Sequence, residues 1–414
     1  PDWDCPPHFY AHGNNPQWPH FGQLMSYMNR TATLLSGGSA ARPVAILYHA
    51  DAEWAGDAMP IERAAAELTR AQIDFDFVPA EAFEDEDRYE ISIVDGILAV
   101  NGCRYQAFVM PGASFIGSAT AQAVRCMMAA GVMVLAVDEV PGAFYDADGV
   151  VELGELAATP LADMAGVLAS VGLQTVATDT PQPWLRALRY EHAGETYVML
   201  VNEHPHERID CTVKLAQGER LCGTRLDLLN GTDPVAFDGT LELAPFESCL
   251  VALETEGELE SRDGADMGSS DALALDINGP WTVALSPAGG GTFGAPQELE
   301  HLCDLTAERF PDACGTFRYR TLFELANDLA DATIDLGDVY EVATLTLDGH
   351  PLGTRICPPY RFAIDPLAAG THELTVDVIN TLDHAIPDIF ALTEPIAPSG
   401  ILGPVTLCGQ NLPK

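Results

Sequence analysis

Basic residues are scarce in this chain. Lysine and arginine together number 20 of 414 residues against 61 aspartates and glutamates, a formal charge of −41. A field of that sign repels phosphate backbones and anionic headgroups, which argues against nucleic-acid and membrane partners. No apolar run approaches the ~20 residues that a membrane-spanning helix needs. The opening PDWDCPPHFYAHG has neither a basic stretch nor an apolar segment, so no secretory signal is expected, and the chain reads as one entered midway. Ten cysteines are scattered from Cys5 to Cys408 without one C-x-x-C pair, which removes zinc-ribbon and dithiol-redox readings. Several sit in strand-like runs such as FESCLVAL around Cys249, which predicts buried, reduced thiols and a cytoplasmic setting. Walker A, G-x-G-x-x-G and EF-hand spacings are also missing, so neither nucleotide nor metal binding is expected from motifs.

What is present is a change of pattern along the chain, and a length that suits two to four domains. Residues 1–38 combine a Pro/His/aromatic loop, PPHFYAHGNNPQWPHF, with FGQLMSYMNRTATLL, whose apolar residues suit one helix face. Such a helix must pack its stripe on something. Residues 39–178 alternate strands (RPVAILYHA, IDFDFVP, YQAFVMPG, VMVLAVDEVPG) with helices (PIERAAAELTRAQ, SATAQAVRCMMAAG), which predicts a doubly wound parallel α/β domain. ISIVDGILAV reads as a hairpin on an Asp-Gly turn. Residues 179–256 show short strands and no helix, a small antiparallel sandwich. An acidic, Gly/Ser-rich linker is expected at 257–272, and a larger β-sandwich at 273–410. The fold class expected is thus multidomain α/β plus all-β.

The last region carries the most specific signal. TFRYRTLFEL, ATIDLGDVYEVATLTLDGHPLGTRICPPYRFAID, GTHELTVDVINTL and PSGILGPVTL resemble, in order, the galactose-binding-like jelly roll of glycoside hydrolases. That sandwich occurs in family-2-type enzymes and in family-106-like α-L-rhamnosidases. The preceding segments are similar to parts of the same enzymes. Residues 1–38 resemble the last loop and helix of a (β/α)8 barrel. PVAILYHADAEWAG resembles the start of the flavodoxin-like domain of family-42 β-galactosidases, and LDLLNGTDPVAFDGTLELAPFESCLVAL the small sandwich that follows it.

The resemblance implies glycoside hydrolysis, which uses two carboxyl groups about 5–10 Å apart. In barrel enzymes they sit at the C-terminal ends of strands. Asp2 and Asp4 are the only carboxylates of the barrel-like segment. The catalytic pair is therefore expected outside this chain, and no residue here is assigned catalysis. The implied partners are a carbohydrate substrate, the barrel domain of the same protein and, as an open option, further copies of the chain. No cofactor is expected, although such sandwiches accommodate a structural calcium ion. The alternative is a stand-alone carbohydrate-binding or assembly module.

Substrate contacts are expected from His8, Tyr10, His12, Asn15 and Trp18, because planar apolar faces with a few fixed polar groups hold sugars. Packing alone explains the same loop equally well. Glu53 and Trp54, with His49, follow the first α/β strand, where doubly wound sheets place ligands; a pocket edge and a domain interface are both open. Ser114 in MPGASFIG occupies the place of an amidotransferase-like nucleophile, but the G-x-S-x-G elbow is missing, which predicts an inactive relic. Tyr360, Arg361 and Asn380, beside Pro358-Pro359, read as corner residues, with Arg361 and Asn380 as candidates to tie the corner to backbone carbonyls; a sugar contact by Tyr360 or Arg361 is the open alternative.

Overall fold

The computed structural model describes residues 9–216, 218–253, 272–385 and 396–411. The linker expected at 257–272 lies outside the described residues except for Ala272, as do His8, Asp2 and Asp4. The chain divides into two compact units, one holding residues 32–228 and 232–261, the other 1–31, 229–231 and 262–414. Strands predominate over helices, in a mixed α/β and all-β arrangement.

In the first unit, Val44–Tyr48, Phe75–Pro79, Ala107–Pro111, Met133–Val137 and Ala158–Thr159 form an all-parallel sheet. Their spatial order is second, first, third, fourth, fifth. VAILY and AFVMP are unbroken apolar runs because both faces of these strands are covered. Alternate residues serve opposite sides: Val44 and Ile46 pack with Leu68 and Met164 from helices Ile61–Arg70 and Leu161–Ser170. Ala45 and Leu47 pack with Val124 and Met127 from helix Ser118–Ala129. Between the second and third strands, a three-stranded meander of Ser92–Val94, Ile97–Val100 and Cys103–Tyr105 takes the place of a helix. Its turns, Asp95-Gly96 (φ 50° and 77°) and Asn101-Gly102 (φ 46° and 81°), are left-handed as two-residue hairpin loops require.

The same unit holds two antiparallel sheets. Six strands run in the order Ser39–Ala40, Leu185–His192, Glu195–Asn202, Ser248–Leu253, Gly223–Leu226, Val235–Phe237; three more are Ala177–Thr178, Ile209–Lys214 and Thr240–Leu243. Leu185, Val198, Val213, Leu241 and Val251 fill the core they share.

The second unit is an antiparallel sandwich. One sheet is ordered Gln297–Leu299, Trp281–Pro287, Gly315–Leu325, Gly370–Ile379, Val342–Leu347, His350–Arg355; the other is Ala272–Asp276, Thr406–Asn411, Leu329–Asp335, Arg361–Ile364. Trp281, Tyr319, Tyr360, Phe317 and Phe362 are among the largest side chains in its core, each 2% exposed or less. Val342–Leu347 and His350–Arg355 form the hairpin read from the sequence, with Asp348 and Gly349 left-handed (φ 50° and 80°). Tyr360 is buried, its hydroxyl donates to the Glu341 carbonyl, and burial followed by the Glu341 charge pushes its phenol pKa up. Arg361 Nε donates to the Asp335 carboxylate, 2.9 Å away, and Arg355 Nε donates to the Arg361 carbonyl at 2.9 Å. Arg361 is only about two-thirds buried, so its head group reaches an acid near the surface.

His372 locks the hairpin turn. Its Nδ1 lies 2.7 Å from Asp348 Oδ2 and its Nε2 2.8 Å from the Ala368 carbonyl. Burial alone would lower the imidazole pKa, but the Asp348 hydrogen bond, the carbonyl and nearby acids outweigh it and raise it. For Asp348, burial would raise the carboxyl, yet His372 and the Glu373 amide hold it below its ordinary value. A raised histidine stabilises fully below its unfolded pKa, about 6.5, and loses that contribution as pH climbs through the folded value. The depressed acid contributes above its unfolded pKa and is lost as pH falls. The turn is therefore expected to be tightest between the unfolded carboxyl and imidazole values, about 4 and 6.5, and to loosen as pH rises through the raised imidazole value. Asp348→Asn should flatten that dependence, read by hydrogen exchange across 345–352. The effect is modest, because Asp348 is 40% exposed.

Candidate functional site

The loop before the first long helix assembles an aromatic cluster. Ala11, His12 and Gly13 are three successive left-handed residues (φ 45°, 54° and 85°), which fold the chain back sharply. Gly13 permits this because its φ favours glycine, and a Cβ there would stand 3.3 Å from the Tyr10 hydroxyl. Two asparagines hold the loop. Asn15 Nδ2 donates to the Phe9 carbonyl (2.7 Å) and its Oδ1 accepts from Gln17 N (3.0 Å), while Asn14 Nδ2 donates to Ala11 O (3.1 Å).

Trp18 stacks on Phe21, with ring centroids 5.2 Å apart and 16° between planes. Tyr10 meets Trp18 edge-on at 5.1 Å, and Phe9 sits 5.0 Å from Phe21. Phe9, Tyr10 and Trp18 remain 40–49% exposed. Burial lowers the His20 pKa. No carboxylate occurs in the sequence between Asp4 and Asp51. The loop thus offers exposed aromatic surface with fixed amides and no acid of its own. Such a surface suits contact with an uncharged polyol, and this stretch supplies neither carboxyl of a glycosidase pair.

Of the expected contact residues, Tyr10 and Trp18 touch, Asn15 acts through the backbone it braces, and His12 is an exposed turn residue. Sequence reasoning left Phe9 and Phe21 out of the candidate contacts. Phe21 was absorbed by the helix face, although its spacing from Trp18 is what places the two rings together. Helix Phe21–Leu34 buries none of its residues fully, and Leu24 and Met28 of its apolar stripe are 38% and 53% exposed.

Glu53 and Trp54 lie in the other unit, on helix Ala50–Ala55 at the C-terminal edge of Val44–Tyr48. His49 is buried, bonds the Met59 carbonyl (3.0 Å), and lies 3.6 Å from Glu53 Oε1. Trp54 is 83% exposed and does not line the cavity there. The cavity at this switch point, lined by His49, Phe115 and Tyr145 among others, is about 10 Å³, too small for a metabolite. Ser114 Oγ donates to Glu139 (3.3 Å), and among the described residues no histidine bonds it, so the nucleophile–base pair of an acyl-transfer site is not assembled.

No protein-family model and no curated protein matches the sequence. Solved structures share its fold. A rhamnosidase from Novosphingobium sp. PP1Y superposes with a TM-score of 0.64 at 19% identity, over 95% of this chain and 41% of that one. An apo exo-carrageenase GH42 from Bacteroides ovatus gives 0.36 at 14% identity, over 52% of this chain and 29% of that one. A GH2 beta-galacturonidase from Eisenbergiella tayi gives 0.25 at 18% identity, over 36% and 26%. At these identities the likeness is one of fold, and only the first superposes closely enough to argue from. The fold is one found in a glycoside hydrolase. This chain spans less than half the length of that rhamnosidase.

Proposed function

We propose that this chain is the non-barrel, C-terminal portion of a glycoside hydrolase acting on oligosaccharides or glycosides, with its catalytic carboxylates outside residues 1–414. The observation that carries this reading is the fold shared with the Novosphingobium rhamnosidase over 95% of this chain. The domain assignment that goes with it is a barrel remnant at 1–38, a flavodoxin-like domain at 39–178, a small sandwich at 179–256 and a galactose-binding-like jelly roll at 273–410. The 2-1-3-4-5 strand order of the parallel sheet supports the second of these. The exposed apolar stripe of Phe21–Leu34 supports a barrel partner that would cover it. Free cysteines such as buried Cys211, Cys249 and Cys314 support a reducing, cytoplasmic location.

In this reading the cluster of Tyr10, Trp18 and Asn15 lines the substrate side of the barrel mouth. Isothermal titration of the full chain with an oligosaccharide panel tests it. Weak binding is expected, and Trp18→Ala should weaken it about tenfold, on the scale of removing one central aromatic anchor. Binding that Trp18→Ala leaves unchanged would remove the cluster from the site. A stand-alone carbohydrate-binding module is the second reading, favoured by the same exposed rings. Coding sequence for a barrel directly upstream of Pro1 decides against it.

A further inference from the structure

The segment HLCDLTAE (301–308) brings three different ligand groups together. An imidazole nitrogen of His301, the sulfur of Cys303 and a carboxylate oxygen of Glu308 all lie within 4.8 Å of one another. His301 Nε2 is 3.8 Å from Glu308 Oε2. The backbone between them is fixed independently of any ion. Asp304 Oδ1 accepts from Thr306 N (3.0 Å), Thr306 Oγ1 (2.8 Å) and Ser399 N (3.0 Å). Leu305 N donates to Ser399 O at 2.9 Å. Cys303 and Leu305 are both buried in the sandwich core. The sulfur therefore sits on a rigid, dry base, while His301 and Glu308 are exposed and leave one side open to solvent.

We propose that His301, Cys303 and Glu308 form a binding site for one divalent cation of the zinc class. Ligand distances of about 2.0–2.3 Å in a tetrahedral site put donor atoms about 3.3–3.6 Å apart. Closing the site from the observed spread needs roughly 1 Å of movement, within reach of two exposed side chains. A nitrogen, sulfur and oxygen set suits zinc or cobalt(II), whereas calcium and magnesium take oxygen ligands. Three protein donors leave a fourth position for water or an added ligand. On binding, the Cys303 thiol releases its proton to solvent as the sulfur–metal bond forms, with no change of oxidation state. The motif escaped the sequence reading because H-x-C-x4-E matches no familiar zinc spacing and needs the Asp304 turn to close.

The full chain, stripped with a chelator and titrated with cobalt(II), tests this. One equivalent should bind with a thiolate-to-cobalt charge-transfer band that zinc displaces. Cys303→Ser should abolish the band, and His301→Ala and Glu308→Gln, at exposed positions, should each weaken binding about tenfold or more. Serine at the exposed cysteines Cys103, Cys126 and Cys408 should leave it intact. Absence of a band overturns the proposal, as does a band that survives Cys303→Ser or follows an exposed cysteine. Should Cys303→Ser not fold, unchanged affinity in both His301→Ala and Glu308→Gln overturns it equally.

Discussion

Asn380→Ala is expected to cost the sandwich about 3 kcal/mol or more, since each buried group left unpaired costs about 1–3 kcal/mol. Asn380 is 1% exposed. Its Oδ1 accepts from Gly315 N (2.9 Å), and its Nδ2 donates to Ala313 O (2.8 Å) and to Ser399 Oγ (2.9 Å). These bonds join the end of strand Gly370–Ile379 to the start of Gly315–Leu325. Gly315 has φ 152°, and a Cβ on it would collide with the Ser286 carbonyl, so the backbone there has little freedom to find new partners. The Gly315 amide would be left without this acceptor. Arg361→Ala is the contrasting case. Its ion pair with Asp335 is about one-third exposed, and pairs of that kind contribute about 0–1 kcal/mol. Hydrogen-exchange mass spectrometry on peptides covering 315–325 and 370–379 separates the two within one unit of the chain. A nearly neutral Asn380→Ala, or an Arg361→Ala as damaging, would contradict the hydrogen-bond account.

Phe362→Ala should be as severe, about 3–5 kcal/mol, the range for deleting a buried phenylalanine. Phe362 is fully buried on the strand Arg361–Ile364, paired opposite Ile334, and the Arg355 guanidinium lies 4.8 Å from its ring centroid. Truncation removes apolar contacts and the surface beneath that cation together. Leu347→Ala, at a site 6% exposed, belongs nearer the lower end of about 2–5 kcal/mol. Urea unfolding monitored on the sandwich should show a lower midpoint with an unchanged slope for both variants. If Phe362→Ala left the midpoint in place and removed a glycan response instead, residues 340–365 would be a binding surface rather than a structural corner.

The elements that were legible in the sequence are those whose local chemistry admits one answer. VAILY and AFVMP are short continuous apolar runs beside proline, which suit a doubly covered strand, and Asp95-Gly96 and Asp348-Gly349 favour left-handed turns. Asn101-Gly102 carried the same signal for the strand Cys103–Tyr105, but the apolar run from Tyr105 onward drew that segment into the next strand. Helix Leu161–Ser170 was missed because it lacks a charged face to give it a period. In the candidate site, the aromatic composition of the loop was visible while its geometry was not. Three consecutive left-handed residues follow no simple propensity, and the Tyr10–Trp18 contact is made across them. Likewise Arg361 was placed at the corner, but its ion pair with Asp335 was not legible, since only the fold puts Asp335 beside it.

The proposed function places this chain, with a fold found in a glycoside hydrolase, apart from the carboxylate pair that breaks the bond. Assay of the purified chain against aryl rhamnosides, galactosides and glucuronides tests it most directly. The account predicts no turnover above a mock purification with any of them. Turnover that stays with the chain through purification, and disappears on replacing a single one of its own carboxylates, would contradict it.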